Sequence, residues 1–385
     1  MRRTVLALTA LLVFAASVEA QIGKRIAIRA GTPEDRALAE INAASDAAKK
    51  LELLDKFLAE YGQTDTAMVA YEAYIAHYLE AKNYDKTFEY GDKALALDPD
   101  SFSTAYTMVR AAQGKGDPAK VFAYGERISA ILQRFKASPA PQGEDAATWD
   151  RKKAIILNEN LDNINFVQYA MVAAASQVQD PVARAKYLES YLTTFPDSPF
   201  TANAETSLAF TYQQARNTSR MIEVAQKALA RDANNLGMLL LLSDFWSEQS
   251  EKEQLAKAEE YAKKALDVLA QTPKPINLTD EQWAQQKSLQ QGLANSSLGQ
   301  IHIRAGRNAQ AVEALRAAAP LLKSDPYSYA RNQYRLGFAL INLKRMPEAR
   351  TAFTEAASLD TPYKGPAQEK VKGIPAAAPP AKKRP

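Results

Sequence analysis

The sequence predicts an all-α protein built from about eight helical hairpins that follow one another along the chain. Glycine is scarce, with 15 residues in 385, and residues that favour helix are plentiful. Segments with apolar residues three and four positions apart recur throughout, whereas no segment of any length alternates apolar and polar residues as a strand does. The helical segments also come in pairs that repeat with a period of about 34 residues.

The clearest hairpin covers residues 334–360. Gly337 and Leu340 fall on one face of its first helix. Pro347 cannot continue that helix but suits the first turn of a second one. Gly337 and Ala349 are both small, and small residues at a crossing let two helices approach to about 8–10 Å. The segment therefore predicts two antiparallel helices in close contact.

The small and large residues of this hairpin resemble the pattern of the tetratricopeptide repeat. That pattern has small residues at roughly positions 8, 20 and 27 of a unit of about 34 residues, and large apolar residues at roughly positions 7, 11 and 24. The matching residues are Leu336, Gly337, Leu340, Ala349, Phe353 and Ala356. Gln333 stands at the first position, which is usually Trp. The resemblance extends with drift over residues 32–363 and implies a right-handed α-solenoid.

The hairpins are interrupted at two places. Pro139 and Pro141 indicate a loop, which is followed by an extra helix over Ala146–Leu157. Thr279 and Gln282 can form a capping box that starts a longer helix near the seventh hairpin. The predicted segments are a signal peptide over 1–20, an N-terminal lead over 21–31, hairpins 1 to 3 over 32–135, an inserted loop and helix over 136–164, hairpins 4 to 6 over 165–272, a linker and helix extension over 273–291, hairpins 7 and 8 over 292–363, and a disordered Pro/Ala/Lys tail over 364–385.

Residues 1–20 have the features of a secretory signal peptide. Arg2 and Arg3 form a charged start, and residues 5–18 are a mostly apolar run that is short for a membrane span. Residues 18–20 suit cleavage, which would leave Gln21 as the mature terminus. We therefore expect an exported protein of a bacterial periplasm or cell envelope, with no integral membrane span after cleavage. The alternative is that this segment stays uncleaved as an anchor.

The positive charge of the chain is concentrated in its tail. The whole chain carries a formal charge of +4, and the tail over 364–385 has six basic residues and one Glu. The body between signal and tail is therefore slightly acidic, at about −2, which argues against nucleic-acid binding. The tail has little apolar area to stabilise a fold, so we expect it to be disordered. Its charges can give only a weak, salt-sensitive contact with an anionic surface.

The residue types that most catalytic and metal sites need are scarce. The chain has no cysteine and only two histidines, His77 and His302, which stand at packing positions. No histidine pair has metal-ligand spacing, and no phosphate-binding glycine loop occurs. Adjacent carboxylates such as Glu259 and Glu260 point to different sides of a helix and do not form an acid–base pair. We therefore predict no catalytic residue, no cofactor and no metal, and a protein that is not an enzyme.

The resemblance also implies where a partner would bind. In tetratricopeptide domains the first helix of each hairpin lines a concave wall, and its exposed side chains bind peptides or proteins. Those positions correspond here to Tyr106, Arg110, Gln113, Tyr169, Gln177, Asn203, Phe210, Gln213, Gln214, Arg331, Tyr334 and Arg335, with Phe166, Ser176, Thr206, Phe338 and Asn342 beside them. Aromatic rings offer contact area, and amides can satisfy a peptide backbone. The alternative for each residue is an ordinary solvated or packing role.

Three functions stay open at this level. The first is an exported, non-enzymatic scaffold or adaptor that binds a partner protein or peptide in a concave groove. The second is an envelope assembly factor that another protein recruits to an outer-membrane complex, since the chain has no cysteine for lipidation. The third is a solenoid that binds carbohydrate or wall polymer through its aromatic residues. Some tetratricopeptide domains grip a C-terminal carboxylate with Lys and Asn, and only Arg331 and Arg335, one turn apart, are similar to that arrangement.

Overall fold

The computed structural model describes residues 22–24, 26–276 and 278–374; the predicted signal peptide over 1–20 lies outside the described residues. Within the described residues the chain forms eighteen helices and no strand. The helices are α1 Pro33–Ala43, α2 Ala47–Tyr61, α3 Ala67–Glu80, α4 Tyr84–Leu97, α5 Phe102–Lys115, α6 Pro118–Ala137, α7 Ala146–Glu159, α8 Leu161–Gln177, α9 Pro181–Thr194, α10 Thr201–Gln214, α11 Thr218–Arg231, α12 Leu236–Ser247, α13 Lys252–Gln271, α14 Asp280–Arg304, α15 Asn308–Leu321, α16 Pro326–Asn342, α17 Met346–Ala357 and α18 Lys364–Gly373.

Sixteen of these helices follow one another as eight hairpins, which confirms the predicted all-α repeat architecture. The hairpins are α1–α2, α3–α4, α5–α6, α8–α9, α10–α11, α12–α13, α14–α15 and α16–α17. Helix α7 stands between the third and fourth hairpins, and α18 comes after the eighth. The earlier helix of each hairpin is called its first helix, and the later one its second helix.

A left-handed residue ends the first helix in five of the hairpins. These residues have φ between 55° and 73° and are Lys82, Gly116, Arg216, Gly306 and Lys344. A residue in this conformation reverses the chain and lets its amide cap the end of the helix. At three of these turns the next residue is Asn83, Asp117 or Asn217, whose side chain accepts a hydrogen bond from an amide in the first turn of the second helix. The turn chemistry therefore sets where each helix ends and the next begins.

Glycines on several helices face large side chains of neighbouring helices. A methyl group at Gly337 would lie 2.5 Å from the ring of Phe353, and one at Gly125 would collide with the side chain of Met171. Both large residues are fully buried. Close contact of these helices therefore requires glycine, as the spacing of small residues in the eighth hairpin predicts.

The described residues divide into two compact units at Ala204 and Glu205. Unit 1 ends at Ala204, and its core includes Leu54, Phe57 and Tyr74. Unit 2 begins at Glu205, and its core includes Leu340 and Phe353. Helix α10 begins in unit 1 and continues into unit 2. No helix among the described residues combines the length and the apolar character that crossing a membrane requires.

The N-terminal lead is extended and lies against the second and third hairpins. Ile22 is 3% exposed, and its carbonyl accepts a hydrogen bond of 3.1 Å from the amide of Phe102. The amide of Lys24 donates to the Asp98 carboxylate at 2.7 Å. The lead is therefore tied to the turn between α4 and α5.

Helix α7 covers Ala146–Glu159, and the longer helix α14 starts at Asp280. No residue of α7 is fully buried, and the Trp149 indole holds it in place by donating to the Ser138 carbonyl at 3.1 Å. Helix α14 starts with the capping box, in which Thr279 accepts from the amide of Gln282 at 3.2 Å and donates its own amide to that side chain at 3.0 Å.

The prediction of a disordered tail from Lys364 onward is wrong for residues 364–374. Helix α18 packs on α17, and Ala367 and Ile374 are buried against the last hairpin. Arg350 on α17 donates to the carbonyl of Val371 at 2.7 Å and to that of Ile374. The few apolar residues of this segment are enough to order it, because α17 supplies the surface against which they are buried. Residues 375–385 lie outside the described residues.

Candidate functional site

In unit 1 the predicted residues of α5 form one end of an aromatic row. The Tyr106 ring is half-buried and lies 6.3 Å from Phe102 and 5.5 Å from Phe166 on α8, measured between ring centroids. The guanidinium of Arg110 lies 6.0 Å from the centre of the Tyr106 ring. Arg110 and Gln113 are exposed. Phe102 is buried at the start of α5, whereas Tyr106, Arg110 and Gln113 lie on the side of this first helix that reaches solvent.

Helix α8 continues the row. Tyr169 is 54% exposed, and its ring lies 6.0 Å from that of Phe200. Gln177 and Ser176 are exposed further along the same helix, while Val167 is fully buried. We call the five rings the aromatic row; they are Phe102, Tyr106, Phe166, Tyr169 and Phe200. The first helices of unit 1 therefore present rings together with exposed amide side chains.

The predicted residues of α10 are also solvent-facing. Phe210 is 38% exposed, and Asn203, Gln213 and Gln214 are exposed. Asn203 belongs to unit 1 and the other three belong to unit 2.

The two predicted arginines of α16 have a different role. Arg335 is 4% exposed, and Arg331 is also largely buried. Both bind acidic residues of α12 and its C-terminal end, which the repeat pattern does not single out. Arg331 Nη1 lies 2.8 Å from Asp244 Oδ2, while Arg335 Nη2 lies 3.4 Å from Asp244 Oδ1 and pairs more closely with Glu248. The two arginines therefore join the first helices of the sixth and eighth hairpins.

Helix α14 lies within the same network. Arg335 Nη1 donates to the Ser296 hydroxyl at 3.2 Å, and the Gln300 amide donates to Glu248 Oε2 at 2.9 Å. Burial alone would raise the pKa of Asp244, but the charges of Arg331 and Arg335 outweigh burial and hold that pKa below its ordinary value. Asp244 is therefore charged at neutral pH, and the network is ionic.

A pocket of about 580 Å³ opens beside this network, and we call it the α14–α16 pocket. Its lining residues are Glu248, Gln300, Ile303, Arg304, Arg331, Tyr334, Arg335, Phe338, Asn342 and Tyr363. Tyr334 forms one side of it, and its ring centroid lies 5.0 Å from that of Phe338 and 5.5 Å from that of Tyr363. Burial raises the pKa of Tyr363, so this phenol stays neutral at physiological pH. The pocket combines an aromatic side with a cationic side.

Several residues of this site were missed because they lie outside the repeat positions used for the prediction. Tyr363 comes after the last hairpin, and Asp244 and Glu248 come after the apolar run of α12. One signal was available: two acidic residues four positions apart match two arginines four positions apart. That spacing puts each pair on one helical face and allows two ion pairs to form between the helices.

Other chemistry is weakly represented in the described part of the chain. Residues 22–24, 26–276 and 278–374 contain no group of three or more His, Asp or Glu arranged to hold a metal ion. His302 is half-buried on α14, and burial lowers its pKa. Neither observation adds a second candidate site.

Comparison with known proteins gives one family match and several structural ones. The tetratricopeptide repeat family model matches residues 330–362, which confirms the repeat identified in the eighth hairpin. A thermophilic tetratricopeptide-repeat protein from Thermus thermophilus is 18% identical, with 54% of this chain and 97% of that chain covered and a TM-score of 0.36. No curated protein matches the chain.

Two further solved structures cover more of this chain. The Cut9–Hcn1 hetero-tetramer of the APC/C is 12% identical, covers 88% of this chain and 62% of that chain, and has a TM-score of 0.41. A human IFIT1 dimer with PPP-AAAA is 13% identical, covers 88% of this chain and 77% of that chain, and has a TM-score of 0.38.

Proposed function

Since the chain carries a tetratricopeptide repeat, we propose that it is a non-enzymatic scaffold that binds an extended segment of a partner protein along its first helices. The first helices α5, α8 and α10 carry exposed or half-buried rings together with exposed amides. Amides can pair with the backbone of an extended segment, and rings can cover its side chains.

The aromatic row of unit 1 is the observation that carries this proposal. Tyr169 is 54% exposed although the opposite side of α8 is buried, so the helix already has its packing surface. Tyrosine at an exposed helix position brings a large ring and a hydroxyl to a partner at low entropic cost, and such residues dominate binding energy at interfaces. A partner segment laid over the row would remove Tyr169 and the exposed parts of Tyr106, Phe166 and Phe200 from water.

Photo-crosslinking tests the proposal. A photo-reactive amino acid is placed at Tyr169 or Phe210, which lie on first helices, and at Lys227 as a control on the exposed side of the second helix α11. We expect one protein to be captured from the two first-helix positions and not from position 227. Equal capture from all three positions, or no capture from either first-helix position, would contradict the proposal.

We also propose that the mature chain is exported to a bacterial periplasm or envelope. The support is the charged start, apolar run and cleavage site within residues 1–20. Fractionation of cells followed by N-terminal sequencing tests this directly, and Gln21 is the expected first residue. Recovery of the intact chain from the cytoplasm would contradict export and would leave the binding proposal standing.

A further inference from the structure

We propose that the α14–α16 pocket takes an acidic side chain of the partner segment together with the apolar side chain next to it. This inference rests on the proposed scaffold function and names the chemistry of a partner segment that unit 2 would bind. The occupant is an internal Glu or Asp beside an aromatic or aliphatic residue. The charge of the pocket, its available hydrogen-bond donors, its apolar surface and its volume all support this occupant.

The charge around the pocket is unbalanced. Arg304, Arg331 and Arg335 line it, and the Lys370 ammonium of α18 lies 5.0 Å from the centre of the Phe338 ring on its aromatic side. Four cations thus lie at or near the pocket. Glu248 is the one carboxylate among the described residues that line it, and Asp244 lies behind Arg331 and Arg335. The excess of positive charge favours an anionic group.

The hydrogen-bond donors of the pocket that have no close acceptor belong to cationic side chains. The amide groups of Gln300 and Asn342 already donate, to Glu248 at 2.9 Å and to Asn308 at 2.9 Å. Arg304, by contrast, is 41% exposed at its side chain and comes no closer than 3.7 Å to Glu248. The Arg304 guanidinium is therefore accessible to an incoming carboxylate, and such charge-assisted hydrogen bonds are strong.

The aromatic side accounts for the apolar neighbour. Tyr334, Phe338 and Tyr363 present ring faces and edges to the pocket, and Ile303 extends this surface. A volume of about 580 Å³ is within the range of sites for small molecules, about 300–1,000 Å³, and suits a few side chains rather than a folded surface. A carboxylate alone would leave the rings uncovered.

Binding of short synthetic peptides to the mature full-length chain tests the inference. The first probe is acetyl-Ala-Glu-Phe-Ala-amide, and the second replaces Glu by Gln, so that the two differ by a single charge. We expect the Glu probe to bind about five- to ten-fold tighter by titration calorimetry or NMR titration. The preference should shrink as salt is raised from about 50 to 200 mM. Equal affinity of the two probes would overturn the inference.

Matched variants assign the effect to the pocket. Arg304→Gln and Lys370→Gln should each reduce the preference for the Glu probe. Arg316→Gln is the control, because Arg316 is 50% exposed and pairs with Glu348 of α17 rather than lining the pocket. Circular dichroism checks that all three variants are folded. A preference that survives both pocket variants, or that falls equally in the control, would overturn the inference.

Two more probes separate other sources of the carboxylate. Acetyl-Ala-Gln-Phe-Ala with a free C-terminus tests a terminal carboxylate, and N-acetylglutamate amide tests a small free acid. Binding of either as tightly as the Glu peptide would overturn an internal acidic residue with an apolar neighbour as the occupant.

The result is distinguishable from failure of the proposed function. A partner captured at Tyr169 or Phe210 while the peptides show no charge preference would leave the scaffold standing without this pocket. A charge preference without any captured partner would support the pocket and contradict the scaffold proposal.

Discussion

The first-helix faces of unit 1 and unit 2 use similar residue types in opposite ways. Arg110 of unit 1 is exposed beside the Tyr106 ring and makes no ion pair among the described residues. Arg335 of unit 2 is 4% exposed and lies among Asp244, Glu248 and Ser296. The repeat position of an arginine therefore does not decide whether it can meet a partner. For Arg335, the acidic residues that α12 and its C-terminal end place opposite it decide this.

The physical reason is the cost of burying charge. Taking a guanidinium out of water costs several kcal/mol unless carboxylates and hydrogen bonds compensate for the lost hydration. In unit 2, Asp244 and Glu248 provide that compensation. Aromatic rings need no such compensation, because their removal from water is itself favourable. A partner can therefore cover the exposed rings of the aromatic row in unit 1 without supplying a charged group.

The largest expected difference between the units is in the stability that each loses when its arginine is replaced. Arg335→Ala should lower the free energy of unfolding of unit 2 by about 2–4 kcal/mol, because it removes the closer cation of Glu248 and one of the two cations that pair with the buried Asp244. Arg110→Ala should change the stability of unit 1 by less than about 0.5 kcal/mol. Hydrogen exchange on the full chain reads each effect separately, through the amides of α12 and α16 or of α5 and α8. Equal losses of stability from the two substitutions would contradict the proposed difference between the arginines of the two units.

Glycine contacts give the next largest difference. Gly337→Ala should cost about 1–3 kcal/mol, since its methyl group would meet the rigid ring of Phe353. Gly125→Ala in unit 1 should cost less than about 1 kcal/mol, because Met171 is flexible and can move aside. Thermal unfolding compares the two variants. Addition of Phe353→Leu should reduce the extra cost of Gly337→Ala, and no reduction would show that the ring is not the obstacle.

Acid should weaken unit 2 through Asp244. Its folded pKa lies below its ordinary value, so the unfolded chain binds a proton more readily than the folded one. This carboxylate therefore contributes stability at neutral pH, and that contribution is lost as the pH falls below about 4. We expect Asp244→Asn to be less stable at pH 7 and to lose less stability between pH 5 and 2. If the urea unfolding midpoints of the variant and the wild type fell by the same amount across this pH range, the expectation would be contradicted.

The smallest expected effect on stability comes from the aromatic row. Tyr169→Ala should change the free energy of unfolding by no more than about 0.5 kcal/mol, since the side chain is 54% exposed. The same change should weaken binding of the partner captured at Phe210 by about tenfold or more. Quantitative pull-down with the captured partner measures this, with Lys227→Ala as the control. An equal loss in both variants would argue against the row as a contact surface.

Much of the fold could be predicted because its signals are local. The eighth hairpin has its small residues, its turn and Pro347 within one segment, and the family match covers nearly the same residues. The helix α18 was missed because its own composition is polar, and α17 provides the surface that orders it. Tyr106 and Tyr169 could be proposed because their positions within a repeat place them on a first helix.

The order of the hairpins and the turn of the eighth hairpin could be predicted from the sequence, because capping residues, prolines and apolar spacing act over a few positions. The roles of Arg331 and Arg335 were not legible in this way. Their partner Asp244 lies 87 and 91 positions earlier, and only the stacking of α12, α14 and α16 brings these charges together. Whether a charged side chain faces solvent or is buried depends on what the other helices place opposite it. The matching spacing of the two acids and the two arginines permits their pairing, but only the tertiary structure shows that these helices meet.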